Sequence, residues 1–289
     1  MKYYGMLLAA VILLALDFAL NKVYQRRAGT SPKAGFLFNA MVGIFAAAIF
    51  WVANGFQLHF SVYSMLLAAG FAATVMLYNL CGFRIMKQGS MAQYTLFLMS
   101  GGMLLPYICG LLFWNEPFSL SRMVGLVAIL TAVIFSNGDG GKLDKSILGL
   151  CCTVFVLNGL TGICSKLNQS ETVIPVVSAT EFVIYTGLAR FVFAGAGYLF
   201  CKKDGNTEER RGKCPVWLLF LLSAAIDGVS YFLQLVGAAN LPATVLFPFV
   251  TGGTMVFSAL AGMIFFKERP SKRVLLGILL SFVGTLLFL

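Results

Sequence analysis

The sequence predicts an all-α membrane protein in which ten transmembrane helices form two inverted five-helix repeats. Hydrophobic residues make up 59% of the 289 residues and charged residues only 11%, whereas soluble domains carry about 25% charged residues. The apolar segments are roughly 20 residues long, the length that crosses a bilayer as a helix. Membrane barrels would instead show alternating segments of about 10 residues. The third observation is an internal repeat.

The repeat appears as two constant shifts along the sequence. A shift of 144 residues superposes Gly5 on Gly149, Lys22 on Lys166 and Gln25 on Gln169. A second shift, of 152 residues, covers the later helices of each repeat. Loops of different length explain the difference between the two shifts. The second shift superposes five identical pairs: Gly101 on Gly253, Gly110 on Gly262, Glu116 on Glu268, Ser119 on Ser271 and Gly125 on Gly277. We therefore predict a first repeat at 1–141 and a second at 142–289.

Ten apolar spans follow one another with short polar linkers between them. Pro106 and Pro248 lie inside spans four and nine, where each permits a bend. Because each repeat has an odd number of spans, the second enters the membrane from the opposite side, as in many secondary transporters. The predicted spans are 4–22, 35–53, 62–83, 92–113, 122–137, 147–166, 178–200, 215–237, 243–266 and 272–289.

The basic residues are concentrated on one side of the predicted membrane protein. Of the 21 Lys and Arg residues, 17 lie in the loops that follow odd-numbered spans. The positive-inside rule places those loops in the cytoplasm and both chain termini outside it. The formal net charge of +10 has this origin, so nucleic acid is not expected as a partner.

Cysteine and histidine offer no metal or catalytic pattern. The seven cysteines lie mostly within apolar spans and have no metal-ligand spacing, so we interpret them as small packing residues. The only histidine, His59, lies in a short loop and receives no role. We predict no metal, no cofactor and no catalytic residues.

The strongest candidate binding site is a polar face on span eight. Asp227, Ser230, Tyr231 and Gln234 are spaced i, i+3, i+4 and i+7, which places them on one side of a helix. A carboxylate near the middle of a span must pair, take up a proton or face water. The face either lines a substrate cavity, which we favour, or ties helices together by hydrogen bonds.

Other polar residues within spans complete the candidate substrate site. Asp17 can bind a cation or proton, or extend to the membrane edge, and Arg190 can meet a carboxylate or helix C-terminal carbonyls. Hydroxyl and amide groups such as Thr251 and Asn158 also serve as packing contacts between membrane helices. The aromatic pair Tyr78 and Tyr94 is suited to orienting an organic solute.

Spans four and nine end in matching motifs that resemble a known family. Asn115-Glu116-Pro117 and Lys267-Glu268-Arg269 are each followed by a serine, Ser119 or Ser271. With two five-helix halves, they resemble the ten-helix EamA-type branch of the drug/metabolite transporter superfamily, whose pattern is typically Gly-Glu-Arg. Both copies here lack the glycine. The resemblance implies a transporter fold. By position, the four Glu and Ser residues are expected to be structural groups at helix ends, the glutamates binding neighbouring backbone N–H groups.

The resemblance also bears on orientation and coupling. Family members are usually drawn with cytoplasmic termini, opposite to the orientation that the loop charges predict. The related small multidrug-resistance proteins carry an essential glutamate in their first span, and its counterpart here is Leu14. That apolar residue argues against a simple cation antiporter of the same kind.

Together these observations predict a secondary transporter that moves a small organic metabolite, with an amino-acid-like solute favoured, by alternating access. The alternatives are a multidrug or organic cation exporter and, less favoured, an intramembrane lipid-modifying enzyme, although no Ser/His or paired-acid arrangement is present. The expected partners are the substrate and the lipid bilayer, with the chain a monomer or homodimer. The expected location is a cell membrane, with the bacterial inner membrane favoured.

Overall fold

The computed structural model describes residues 2–28, 31–88, 91–137, 145–201, 215–267 and 271–288. These residues form ten α-helices and no strand, which confirms the predicted all-α fold. The helices are α1 (Lys2–Ala28), α2 (Pro32–Ala53), α3 (Val62–Gln88), α4 (Met91–Leu112), α5 (Leu120–Asn137), α6 (Lys145–Ser170), α7 (Ala179–Phe200), α8 (Val216–Asn240), α9 (Ala243–Phe266) and α10 (Lys272–Leu286).

Several helices extend beyond the apolar spans. The predicted first span stops at residue 22, but α1 continues to Ala28 through a basic segment, and α3 continues to Gln88. Hydropathy detects only the part of a helix in hydrocarbon, whereas Lys, Gln and Arg are good helix formers that prolong it past the membrane boundary. Asp17 consequently lies near the middle of its helix.

Eight of the ten helices are long and apolar enough to cross a membrane. The other two, α5 and α10, have 18 and 15 residues and pack against each other. At 1.5 Å per residue they are about 27 Å and 22 Å long, close to or below the roughly 30 Å of the hydrocarbon core. They form a pair beside α4 and α9.

The eight long helices form a closed ring. Each contacts the next in the order α2, α7, α3, α6, α4, α9, α1, α8 and back to α2. Helices that are consecutive in sequence are always separated by at least one other helix in this order. The interior of the ring is therefore lined by helices from both halves of the chain.

Exchanging each helix of the first half with its counterpart five positions later leaves this ring unchanged. The two sequence shifts also convert one contact between helices into another. The backbone of Phe155 occupies the place that a Cβ atom at Gly101 would take, and Val11 lies 2.9 Å from a Cβ built at Gly253. Adding 152 to the glycine number and subtracting 144 from its partner converts the first contact into the second. This relation is expected of a repeat, and the division at residue 141 remains a prediction.

The helix-end motifs contain two residues in the left-handed backbone region. Asn115 has φ of 48° and Lys267 has φ of 55°, and the two positions are superposed by the shift of 152. They occupy the place at which the family pattern has glycine. Lys267 ends α9 in this conformation, and its N–H binds the carbonyl of Gly262. The glycine of the family pattern is thus explained by the turn that follows the helix.

Restoring that glycine should stabilise the protein. A left-handed conformation costs a residue with a side chain roughly 1–2 kcal/mol, and asparagine tolerates it best. Lys267→Gly is therefore expected to raise the free energy of unfolding by about 1 kcal/mol, and Asn115→Gly by less. Thermal melting of the purified protein in detergent measures both. The reverse order of the two variants would contradict this explanation.

Candidate functional site

An ion pair lies between α7 and α8 inside the ring. Arg190 Nη1 donates to Asp227 Oδ2 at 2.7 Å, and its Nη2 donates to Asn39 Oδ1 on α2 at 3.3 Å. Within the described residues, the buried Nε of Arg190 has no hydrogen-bond partner. Of the three possibilities for a carboxylate in span eight, pairing, protonation or exposure to water, Asp227 is paired, and Arg190 has the carboxylate partner that was one of its two predicted alternatives.

Asp17 brings a second carboxyl group close to this pair. It lies on α1, is only 8% exposed and has Asp227 and Arg190 as its electrostatic neighbours. Ser223 lies close by, but neither its hydroxyl nor Asp17 Oδ1 makes a hydrogen bond within the described part of the chain. Asp17 therefore faces the interior of the bundle, and does not extend to the membrane edge.

A small cavity adjoins the ion pair on the side away from the chain termini. It contains about 270 Å³ of empty space, part of which is open to the surroundings. Tyr78 on α3 lies within electrostatic range of both members of the pair. The cavity is lined by Phe36, Asn39, Met76, Asn79, Arg190 and Phe193, among others.

The other residues on the polar face of α8 have hydrogen-bond partners outside the ion pair. Ser230 donates to the carbonyl of Ala10 on α1 at 2.7 Å, and Gln234 donates to Ser230. Tyr231 OH lies 2.8 Å from Ser165 Oγ on α6. Of these four residues, only Asp227 forms an ion pair. Ser230 and Tyr231 match the alternative interpretation, hydrogen bonds between helices, whereas the hydrogen bond of Gln234 lies within α8.

The remaining candidates lie apart from the charged group. Asn158 on α6 donates to the carbonyl of Leu98 on α4 at 2.7 Å, a contact between helices. Tyr94 packs with Tyr78 against a cluster of buried apolar residues around Ile85. Among the described residues, no hydrogen bond, ion pair or ring contact links Tyr94 or Thr251 to Arg190. Their role in substrate binding remains a prediction.

Glu116 binds the start of a helix in the other half of the chain. Its Oε1 accepts the N–H of Ala243 at 2.6 Å and its Oε2 accepts that of Thr244 at 2.8 Å. These are the first two residues of α9, whose N–H groups have no partner within the helix. Backbone N–H groups were the predicted partners, but they lie 127 and 128 residues away in sequence, not in the adjoining turn.

Lys166, on α6, binds the C-terminal end of α8, the helix that precedes α9 in the chain. Its ammonium group donates to the carbonyls of Ala238 and Leu241 at 2.7 and 2.8 Å, at the C-terminus of α8. Together, Glu116 and Lys166 hold both sides of the α8–α9 turn with charges that match the two helix dipoles.

Of the other helix-end residues, Ser271 caps α10 by accepting the N–H of Val274 at 3.4 Å. Ser119 directly precedes α5, and its carbonyl accepts the N–H of Met123. Glu268 lies outside the described residues.

Removing the Glu116 carboxylate should weaken folding more than it changes substrate choice. Glu116→Ala leaves two helix N–H groups without acceptors and is expected to lower the free energy of unfolding by about 2 kcal/mol, whereas Glu116→Gln keeps one acceptor and should cost less. Ser271→Ala, which removes a single cap, should cost about 1 kcal/mol. Melting curves and a substrate competition panel test this together. Altered selectivity with normal melting would contradict it.

Further contacts between the two halves lie at the membrane face that carries the termini. His59, in the α2–α3 segment, binds Glu181 at the start of α7 through its backbone N at 2.8 Å and its ring Nδ1 at 2.6 Å. Ser61 Oγ donates to the carbonyl of Pro175 at 2.6 Å, and Ser64 Oγ accepts the N–H of Val177 at 3.0 Å. Glu181 also forms a capping box with Ser178.

Sequence reasoning missed several of these residues for identifiable reasons. Asn39 is an isolated amide in an apolar span, and no helical neighbour marks it as part of a polar face. Lys166 was counted with the basic residues near loops, although it is 7% exposed. The sequence does single out Lys166, because the shift of 144 superposes it on Lys22. The partner of His59 lies 122 residues away in sequence, beyond any local pattern.

The architecture defines a multi-pass helical membrane protein with buried charges between its two halves. The family model described as "EamA-like transporter family" matches residues 145–289, just over half of the chain. The chain therefore belongs to the EamA-like transporter family, which confirms the resemblance and makes the protein a membrane transporter. The matched segment begins at the first residue of α6, three residues after the predicted start of the second repeat.

Solved structures support the fold but do not add a function. One matching chain, from a crystal structure described only as that of a protein, has a TM-score of 0.75 and 13% sequence identity; the match covers 99% of this chain and 96% of the other. At that identity the similarity concerns the fold alone. No curated protein matches the chain.

Proposed function

We propose that this chain is a secondary transporter for a small amino-acid-like solute, which it binds at Arg190 and Asp227 and moves by alternating access. The main observation behind this proposal is that Arg190 Nε is a buried donor without an acceptor among the described residues. The other two nitrogens of the guanidinium group are already bound. A substrate carboxylate would complete its hydrogen bonding. The Asp227 carboxylate beside it offers a negative group for the substrate's ammonium.

Two features support alternating access. The terminal face carries contacts between the halves, among them His59 with Glu181, whereas the cavity lies toward the opposite face. The ring is also unchanged by exchange of the halves, as a mechanism requires in which two related conformations open alternately to each side. In that mechanism the His59–Glu181 contacts would break when the terminal face opens.

A second candidate function, export of organic cations, is favoured by the charge balance. Asp17 and Asp227 provide two carboxyl groups against the single guanidinium of Arg190, and aromatic rings lie close by, including Phe71 and Tyr231 with centroids 5.3 Å apart. Aromatic faces attract cations. A cation without a carboxylate would nevertheless leave Arg190 Nε without an acceptor, so the zwitterion is preferred.

Three compounds with the same phenyl group separate these alternatives. Binding to the folded state raises the melting temperature, so phenylalanine is expected to stabilise the purified protein more than phenethylamine or 3-phenylpropionate does. Uptake of labelled phenylalanine into proteoliposomes should show the same preference. Stabilisation by phenethylamine alone would favour the organic cation exporter. Product formation without flux would favour an enzyme.

The proposed location is a bacterial inner membrane, with both chain termini outside the cytoplasm. This orientation follows from the Lys and Arg residues, 17 of 21 of which lie on the opposite side. A reporter that is active only in the cytoplasm, fused after Leu289, is therefore expected to be inactive, and the same reporter inserted into loop 202–214 should be active. The opposite result would show the orientation in which the family is usually drawn.

A further inference from the structure

We infer that Asp17 is a proton-binding site whose proton determines which carboxyl group pairs with Arg190. The coupling role we give this proton rests on the proposed transport function, but the proton site itself does not. The inference begins from a mismatch of charge inside the ring. Arg190 supplies one positive charge, and Asp17 and Asp227 supply two carboxyl groups.

The geometry assigns the guanidinium to Asp227. Arg190 Nη1 lies 2.7 Å from Asp227 Oδ2, while Asp17 has no ion pair among the described residues and its Oδ1 has no hydrogen bond there. Asp17 is also more than nine-tenths buried. A carboxylate held away from water without a cation is strongly disfavoured, and a proton removes that charge.

The groups around Asp17 favour a proton as the cation that neutralises its carboxylate. Its helix packs against α8 and α9, and α9 has no titratable side chain between Ala243 and Phe266. On α8 the titratable groups are Asp227 and Tyr231, and Tyr231 is bound to Ser165. The charged neighbour from α7 is Arg190. No group of three or more His, Cys, Asp or Glu side chains able to hold a metal ion occurs among the described residues.

Loss of this proton would change the pairing of Arg190. An ionised Asp17 would compete with Asp227 for the single guanidinium, since all three groups lie within electrostatic range of one another. Asp227 belongs to α8 and Asp17 to α1, and Arg190 extends from α7, so a change of partner would pull on contacts between helices of both halves. Protonation can thereby be coupled to alternating access.

Infrared spectroscopy of the purified full-length protein tests the proton site without any substrate. The carbonyl stretch of a protonated carboxylic acid should be present near neutral pH in the wild type and absent from Asp17→Asn. Glu171→Gln is the matched control. Three backbone N–H groups, led by that of Val173, hold the pKa of the Glu171 carboxyl below its usual range, so this variant should keep the band.

Two further variants test the competition for Arg190. In Asp227→Asn, Arg190 is released to pair with Asp17, and the band should move to lower pH. Asp17→Glu should retain a band, which guards against a loss of signal caused only by misfolding of Asp17→Asn. A band that persists in Asp17→Asn, or one that disappears on addition of Na⁺ at constant pH, would overturn the proton site.

Transport tests the coupling separately. In proteoliposomes, accumulation of phenylalanine driven by a pH gradient should fall in Asp17→Asn to the level measured without a gradient, and Asp17→Glu should restore part of it. Accumulation in Asp17→Asn equal to that of the wild type would overturn the coupling role. A normal infrared result without flux of phenylalanine or phenethylamine would support the proton site and count against the proposed function.

Discussion

Arg190→Met is expected to destabilise the protein by about 3 kcal/mol and to abolish transport. Removing one partner of an ion pair whose side chains are only 20% and 17% exposed leaves the other charge largely without compensation, and here Asp227 and Asp17 would be neighbours without the guanidinium. Asn39 would also lose its contact with Arg190 Nη2. Thermal melting in detergent and uptake into proteoliposomes measure the two effects.

A double variant separates the structural from the functional part of that effect. Replacing a buried ion pair by apolar residues of similar volume is often neutral, so Arg190→Met combined with Asp227→Leu should recover most of the lost stability without recovering transport. Arg84→Met is the control, because Arg84 is exposed on α3 and its loss should leave melting unchanged. If Arg190→Met melted like the wild type and transported normally, the ion pair would have no role in either.

Arg190→Lys refines the prediction. Lysine keeps the positive charge opposite Asp227 but is a single point charge without the planar set of donors. It should preserve folding and lose the donor that Nε presents to a substrate carboxylate. We expect near-normal melting with weaker stabilisation by phenylalanine, while phenethylamine, which has no carboxylate, should be affected less.

The fold was predictable because membrane insertion imposes a strong pattern on sequence. Spans of about 20 apolar residues have few alternatives in a bilayer, and all ten predicted spans correspond to helices. Two constant shifts were enough to suggest a repeat. The helix ends were less predictable, because basic segments such as the last turn of α1 are helical without being apolar.

The charged site was predictable only in part. Asp227, Arg190 and Asp17 were all identified because an ionised group within a span is costly and therefore informative. Their pairing was not identified, since it joins three helices whose order in the ring cannot be read from local periodicity. Helical spacing grouped Asp227 with Ser230 and Gln234, yet Ser230 binds α1, Gln234 binds Ser230 within α8, and Asp227 pairs with Arg190.

The second large loss of stability is expected for an alanine substitution at the crossing of α4 and α6. Both helices have a glycine there, and a Cβ at Gly101 would overlap the backbone of Phe155, while one at Gly159 would lie 2.9 Å from the carbonyl oxygen of Gly101. Backbone atoms cannot rotate away as a side chain can, so the helices must separate. Gly101→Ala should therefore lower the free energy of unfolding by about 3 kcal/mol.

Alanine substitutions at two other glycines serve as comparisons for this prediction. Gly253→Ala, at the corresponding crossing of α9 and α1, meets the side chain of Val11, which can shift, so its cost should be smaller. Gly149→Ala on α6 meets nothing within 4 Å, and alanine is the better helix former by about 0.5–1 kcal/mol, so this variant should be as stable as the wild type or more so. Melting temperatures should rise in the order Gly101→Ala, Gly253→Ala, wild type, Gly149→Ala. Equal effects at Gly101 and Gly149 would mean that the close backbone contact does not hold α4 against α6, because helix propensity alone would then account for both changes.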